Sequence, residues 1–324
     1  MLTSVKNKLS GKALVTEFCG KKLEELVVVI RFRPMTYLSI CVLNALFSFV
    51  TTIGNLLVIR ALWKASSVTS TLKKMFLSLA FCDLAVGLFS QPVIATLYGA
   101  TVNQAASGNY DFDVYCPVII SLVMAPTFFL VGVSFSMIAA IAVDRLLALS
   151  IHLRYQELVT GKRVNFALVV LWLSNALYTF VFMELPSHND LVGVILQTVG
   201  LILLAIAYSR IYLVVRYHQN QIHGQNQIQN DQAMQAARVK KSALNAFYVY
   251  IVSLVCFAPN LIAGILLVVD NSRLPTLVAY NASSVLILLN SSLNPLVYCW
   301  RYREIRNIVK DTVKKMFLNN HGAH

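Results

Sequence analysis

Apolar residues in this chain come in long runs rather than in short amphipathic stripes. Read between their polar breaks, the runs fall at about 37–62, 74–98, 115–147, 164–185, 191–217, 242–268 and 276–299. Each reaches the ~20 residues that a helix needs to cross a bilayer. The third and fifth are long enough to tilt or project past it. Barrel strands would alternate in hydrophobicity over about ten residues, and these runs do not. Lipid offers a backbone no hydrogen-bond partners, so each run is predicted to be a helix. The predicted fold is an all-α membrane protein: a seven-transmembrane helix bundle over residues 37–299, an N-terminal tail over 1–36, and a cytoplasmic segment over 300–324.

Two segments outside the runs have their own patterns. After the seventh run, Ile305, Ile308, Val309, Val313, Met316 and Phe317 recur at three- and four-residue spacing, with Arg303, Arg306, Lys310 and Lys314 on the other face. That pattern predicts an amphipathic helix on an anionic membrane surface, with membrane lipids as its partner. Between the fifth and sixth runs, residues 218–237 are rich in glutamine and asparagine and lack apolar periodicity. They are predicted to be a flexible connector.

Composition agrees with the pattern. Of the 324 residues 57% are apolar and 13% charged, against about 45–50% and 25% in soluble domains. This excludes a disordered chain, a secreted disulfide scaffold and an ordinary soluble enzyme. The net charge of +13 does not point to nucleic acid, because the basic residues sit in short segments between apolar runs, where they report topology. Twenty lysines and arginines lie beyond Met35, and nineteen of them fall on one side of the membrane or at its helix ends; Arg273 is the exception. The other side carries Asp111, Asp113, Asp190 and Asp270. The positive-inside rule then places the C-terminus in the cytoplasm and the N-terminus outside, as expected for a multi-pass protein of the plasma membrane. Seven basic residues before Met35 oppose that placement, and initiation at Met35 would remove them. The six cysteines are scattered singly, without metal-ligand spacing or a disulfide framework.

Ionisable residues inside spans are costly and usually functional. Asp83 is the one carboxylate near the centre of a span, and Asn55, Ser134, Asn290 and Asn294 lie at comparable depth on other spans. A carboxylate among hydroxyl and amide oxygens suits a small hard cation such as sodium, or a protonatable switch; a neutral packing node is the plainer alternative. At the basic end of the third span, Asp144-Arg145 can pair with each other or separate, or Arg145 can simply snorkel to the interface. Pro92, Pro126, Pro259 and Pro295 fall inside spans, where each removes a backbone hydrogen bond and invites a kink. Asn290, Asn294, Pro295 and Tyr298 together make a site that can hold two arrangements of similar energy.

In combination these residues resemble the rhodopsin-like (class A) G-protein-coupled receptors. Gly54-Asn55, Leu79-Ala80 with Asp83, Asp144-Arg145, Trp172, Tyr208, Cys256 with Pro259, and Asn294-Pro295-x-x-Tyr298 follow one another in span order. The resemblance implies an extracellular ligand pocket and a heterotrimeric G protein as cytoplasmic partner. It implies an activation switch of Asp144, Arg145, Tyr208, Asn294, Pro295 and Tyr298, and an allosteric sodium site of Asp83, Ser134, Asn290 and Asn294. It implies no catalysis and no cofactor beyond that ion. Several positions depart from the family pattern. Leu146 follows Arg145 where tyrosine is usual, Phe257 stands for tryptophan, Gly200 for the fifth-span proline, and Ser253 for a sixth-span phenylalanine. Val239 stands where some members carry an acid that locks Arg145, so elevated basal activity is expected. Cys116 lies near the family's disulfide position, but the short second outer loop holds no cysteine to pair with it. A short loop without cysteine and a fifth span without proline resemble the melanocortin, cannabinoid and lysophospholipid receptors. The segment from Leu153 to Arg163 resembles the adenosine receptors.

Absences narrow the ligand. The amine-binding aspartate position is Thr127, the seventh span has no lysine for retinal, and the adenosine receptors' sixth-span asparagine is Gly264. A pocket of Thr127, Phe257, Asn260, Asn281 and Ser284 suits a lipid or another poorly charged small molecule, while Asp190 and Asp270 at its mouth suit a basic peptide. The alternatives are a ligand-independent modulatory receptor of the same fold and, from another class, a small transporter or channel. The latter favours internal repeats and several mid-membrane charges, which this sequence lacks. Paired aspartates, a Ser/His pair or an HExxH helix, as an intramembrane enzyme would need, are also lacking.

Overall fold

The computed structural model describes residues 20, 24–66, 68–107, 123–151, 154–184, 189–223, 230–269 and 273–321. Cys116, Asp111, Asp113 and Asp270 lie outside the described residues, as do the side chains of Asp190 and Val239. All regular structure among the described residues is helical. Seven helices there are long and apolar enough to cross a membrane. The first is Pro34–Lys64. The second is built of Ser70–Ala85, a π turn Val86–Ser90 and Gln91–Ser107. Ala125–Ser150, Gly161–Glu184 and Asn189–His223 form the third to fifth. Asn230–Val269 and Arg273–Arg301 form the sixth and seventh. A short helix Tyr155–Leu158 and the terminal helix Arg303–His321 flank the end that carries most of the basic residues, called the basic end below.

The first span packs against the second and seventh, the sixth against the fifth and seventh, and the third against the second, fourth and fifth. Only one stripe of each helix is buried. Large apolar side chains such as Phe49, Leu173, Leu203 and Val255 are more than half exposed. So much exposed hydrocarbon belongs in lipid, not in water. Packing without a hydrophobic drive needs close backbone approach and polar ties, and both occur. A β-carbon on Gly54 would sit 3.1 Å from the Pro295 ring. Thr51 and Ser292 share a hydroxyl–hydroxyl bond at 2.6 Å, and Asn55 Nδ2 donates to the Ser291 carbonyl at 3.1 Å. On the other side of the bundle, Trp172 Nε1 donates to Ser78 Oγ at 2.9 Å.

The four prolines stand in different backbone settings. Pro126 stands at the junction of π-helical residues 123–124 with the third α-helix. Pro92 lacks the N–H that would meet the Leu88 carbonyl. The second span accommodates it with the π turn that ends just before Gln91. The Gly87 carbonyl in that turn accepts from Ser48 Oγ at 2.8 Å. Pro259 and Pro295 lie inside their helices.

The connector predicted over 218–237 is a correction. The fifth helix continues to His223 and the sixth begins at Asn230. Glutamine is a good helix former, and a helix that leaves the bilayer needs no apolar periodicity to go on satisfying its own backbone. The terminal helix follows the predicted amphipathic pattern, with Ile305 fully buried and Met316 exposed. Its Glu304 accepts from the backbone N–H of Ser66 at 2.9 Å, tying it to the link between the first two spans. Before Pro34, residues 24–32 form a helix. Its Val29 and Ile30 are fully buried in a cluster with Tyr37, Ile40 and Val285.

Candidate functional site

At the basic end the third span delivers Asp144 and Arg145 side by side. Arg145 Nε donates to Asp144 Oδ2 at 2.9 Å, with a second bond from its terminal nitrogen to the same oxygen. The other carboxylate oxygen accepts from the Tyr155 hydroxyl at 2.7 Å. Asp144 is 3% exposed, so a carboxylate with both oxygens engaged forms a closed latch. Burial, reinforced by the hydrogen bond to Asp144, pushes the Tyr155 phenol above its usual pKa. It therefore stays a donor at neutral pH.

Beside the latch lies a cavity of about 20 Å³, room for about one water. Its polar lining is Arg145, Tyr208, Asn294, Tyr298 and Arg301, and its apolar lining is Phe76, Leu79, Ile138, Ile141 and Val297. Four residues of the predicted switch, Arg145, Tyr208, Asn294 and Tyr298, thus meet at one place. Pro295 supports them from the opposite side of its helix, against Gly54. The Tyr298 ring packs 4.7 Å from Phe76, while its buried hydroxyl has no hydrogen-bond partner. Tyr208 packs on Tyr250 at 5.0 Å.

Two residues of this site escape the sequence reading. Tyr155 is visible there only as part of a loop resemblance. Arg301 reads as one more topological charge, yet it lines the cavity with its guanidinium 5.1 Å from the Tyr302 ring centroid.

Deeper in the bundle Asp83 is fully buried. Its Oδ2 accepts from Asn294 Nδ2 at 2.7 Å and its Oδ1 from Ser134 Oγ at 3.2 Å. Asn290 is buried nearby in sequence on the seventh span, with neither its Oδ1 nor its Nδ2 hydrogen bonded. Asn55 turns to the seventh-span backbone instead of to Asp83, and its Oδ1 has no partner. One carboxylate with spare hydroxyl and amide oxygens is a donor set that fits a hard monovalent cation. Asp83, Ser134, Asn290 and Asn294 are the residues that would hold it. Asn294 belongs to both sites, so one side chain links the deep carboxylate to the cavity at the basic end.

At the opposite end two of the predicted pocket residues, Asn260 and Asn281, tie helices together. Asn281 Nδ2 donates to the Tyr37 hydroxyl at 2.8 Å, and Ser284 Oγ to the Asn281 carbonyl at 2.6 Å. Asn260 Nδ2 meets Ser283 Oγ at 3.2 Å and the Tyr280 carbonyl at 3.3 Å. The Thr127 hydroxyl is buried without a partner. Phe257 is buried against Phe135, with ring centroids 4.8 Å apart, and its carbonyl accepts from Gln197 at 3.0 Å. Phe135 is admitted by Gly200, where an added β-carbon would lie 2.2 Å from the ring. The glycine that replaces a proline is thus the space that the aromatic pair needs.

Comparison with known proteins places the chain in a family. The chain is 26% identical to melanocortin receptor 4 of Danio rerio over 272 residues, 81% of this chain and 80% of that receptor. It is 27% identical to melanocortin receptor 5 of Bos taurus over 271 residues, 80% of this chain and 79% of that one. Melanocortin receptor 5 of Ovis aries is 26% identical over the same shares. The profile of the 7 transmembrane receptor (rhodopsin family) matches residues 54–192 and 184–298, a region that holds Asp83, the Asp144–Arg145–Tyr155 latch and every lining residue of the cavity except Arg301. The chain belongs to the rhodopsin family of seven-transmembrane receptors.

Proposed function

We propose that this receptor passes an extracellular ligand signal to a heterotrimeric G protein at the plasma membrane, with its basic end in the cytoplasm. The latch carries the reading. Arg145 is held by Asp144 at the rim of a cavity that it shares with Tyr208 and Tyr298. Release of Arg145 frees a guanidinium with five donors, suited to the backbone carbonyls of an incoming helix end. Among the described residues Arg145 forms an ion pair with Asp144 alone, so the closed state rests on one short-range contact and on Tyr155.

Sodium belongs to the same reading. Bound among Asp83, Ser134, Asn290 and Asn294, it would supply positive charge that holds the second, third and seventh spans together. Asp83→Asn should then abolish any sodium dependence of agonist affinity, and unchanged sodium sensitivity would remove the site. The relatives' names make melanocortin the first ligand to test, ahead of lipids and other peptides.

A second reading, a receptor that signals without ligand, draws on the outer end. There Asn260 and Asn281 are engaged in interhelical bonds and Ser284 in a bond within its own helix. The test is second-messenger output, cyclic AMP and inositol phosphates, in cells carrying wild type or Arg145→Ala at matched surface density, with and without melanocortin. A signal lost in Arg145→Ala supports G-protein coupling, and its dependence on melanocortin separates the two readings.

A further inference from the structure

Three buried side chains on the first and second spans carry polar atoms with no hydrogen-bond partner: Asn44 Oδ1, Ser90 Oγ and Gln91 Oε1. All three residues are at least 99% buried. Their amide nitrogens are occupied. Asn44 Nδ2 donates to the Ile40 carbonyl at 2.9 Å, and Gln91 Nε2 reaches the Leu288 carbonyl at 3.4 Å. Two amide oxygens are therefore left without donors, and a serine hydroxyl without any partner. Leaving such groups dry is costly.

Helical register places Asn44 and Gln91 at one level. Tyr37 meets Asn281 and Thr51 meets Ser292, so the first and seventh spans run in the same direction between these two rungs. Asn44 lies seven residues from both Tyr37 and Thr51, and so on the same face of its helix, midway between them. The Leu288 carbonyl that receives Gln91 falls between the same rungs. On the second span, Cys41 donates to the Ala95 carbonyl and Ser48 to that of Gly87. Asn44 lies between Cys41 and Ser48, as Gln91 lies between Gly87 and Ala95. Ser90, the last residue of the π turn, immediately precedes Gln91.

We propose that these groups form a second internal site, separate from Asp83, and that its ligand is a bound water. One water donates a hydrogen bond to each of Asn44 Oδ1 and Gln91 Oε1 and accepts the third from Ser90 Oγ, which satisfies all three groups. The site's donors are neutral oxygens and Asp83 is eight residues from Gln91 along the second span, so a cation here would lack a charge partner of its own. The apolar cluster of Val29, Ile30, Ile40 and Val285 packs beyond it. The water joins the first and second spans just past the π turn, where an adaptable bridge lets the two helices shift without orphaning an amide.

A high-resolution structure of the full chain tests this directly. Density within about 2.7–3.1 Å of both amide oxygens is expected; empty density there overturns the proposal. Thermal melts of Asn44→Leu, Gln91→Leu and the double variant give a second reading. Each variant also loses its own bond to the Ile40 or Leu288 carbonyl, so a shared water predicts that each single variant lowers Tm and that the double falls by clearly less than the sum of the two. Melting points that rise with each substitution would mean dry, unsatisfied oxygens, and losses that add would mean independent roles; either overturns it. Density at about 2.4 Å from the oxygens, with a Tm that tracks sodium in Asp83→Asn, would mean a cation instead and would also overturn it.

Discussion

The latch turns on Tyr155 as much as on Arg145. A hydrogen bond to a charged group is worth about 1.5–3 kcal/mol, and the Tyr155 bond is the contact that fixes the second oxygen of Asp144. Tyr155→Phe keeps the ring and removes only the hydroxyl. Losing about 1.5 kcal/mol shifts the latch roughly tenfold toward release. Basal second-messenger output should therefore rise at equal surface expression; unchanged output would remove Tyr155 from the latch. Asp83 and Asn294 are legible in the sequence because a buried carboxylate has few affordable partners. Ser134 is legible for the same reason. Tyr155 and Arg301 are not, because a phenol in a loop and a cation at a helix end have many ordinary uses. Their roles depend on which way two helix ends face. Asn290 shows the converse: depth places it near Asp83, but depth alone cannot say where its amide points.

Among the elements, the fifth span carries the clearest dependence on a single position. Gly200 leaves room for Phe135, which packs on Phe257 of the sixth span. An alanine there drives the ring out of its place, at a cost of about 1–3 kcal/mol for an overpacked core. Gly200→Ala should lower Tm by several degrees and alter basal signalling. Gly193→Ala, on the same helix with nothing within 4 Å of its added β-carbon, should leave Tm unchanged or raise it slightly. Equal effects of the two would show that helix propensity, not the Phe135 fit, governs the position. Hydropathy reads the spans well because length and apolarity alone satisfy the membrane's demand. It misreads the ends of the fifth and sixth, where the helix continues into polar residues 218–223 and 230–237. It also gives no sign of the π turn, a local answer to Pro92 settled by the Ser48 hydroxyl on the first span.

For the whole molecule, hydropathy leaves the inward faces undetermined, since helices apolar on every side look alike in sequence. The facing comes from small residues and polar ties: Gly54 on Pro295, Trp172 on Ser78, and Thr51 on Ser292. The N-terminal helix belongs to the same assembly. Deleting residues 1–33 removes Val29 and Ile30 from the outer cluster and should lower Tm and surface expression. A truncated receptor with wild-type Tm would make that packing dispensable and initiation at Met35 structurally harmless. Asn294 bonds Asp83 and lines the cavity beside the latch, so the proposed switch predicts that a change at the deep site alters Arg145 through the seventh span.

That switch is most directly tested by nucleotide exchange on purified heterotrimeric G proteins, using the full-length receptor in lipid nanodiscs. Wild type, Asp144→Asn and Asp144→Asn/Arg145→Ala would be compared, each across the main G-protein classes. Opening of the latch predicts that Asp144→Asn accelerates exchange several-fold on at least one class, and that adding Arg145→Ala returns it to the receptor-free rate. Acceleration that survives the loss of Arg145, or exchange by wild type and Asp144→Asn alike that never exceeds empty nanodiscs, would contradict an arginine released into the cavity as the signal.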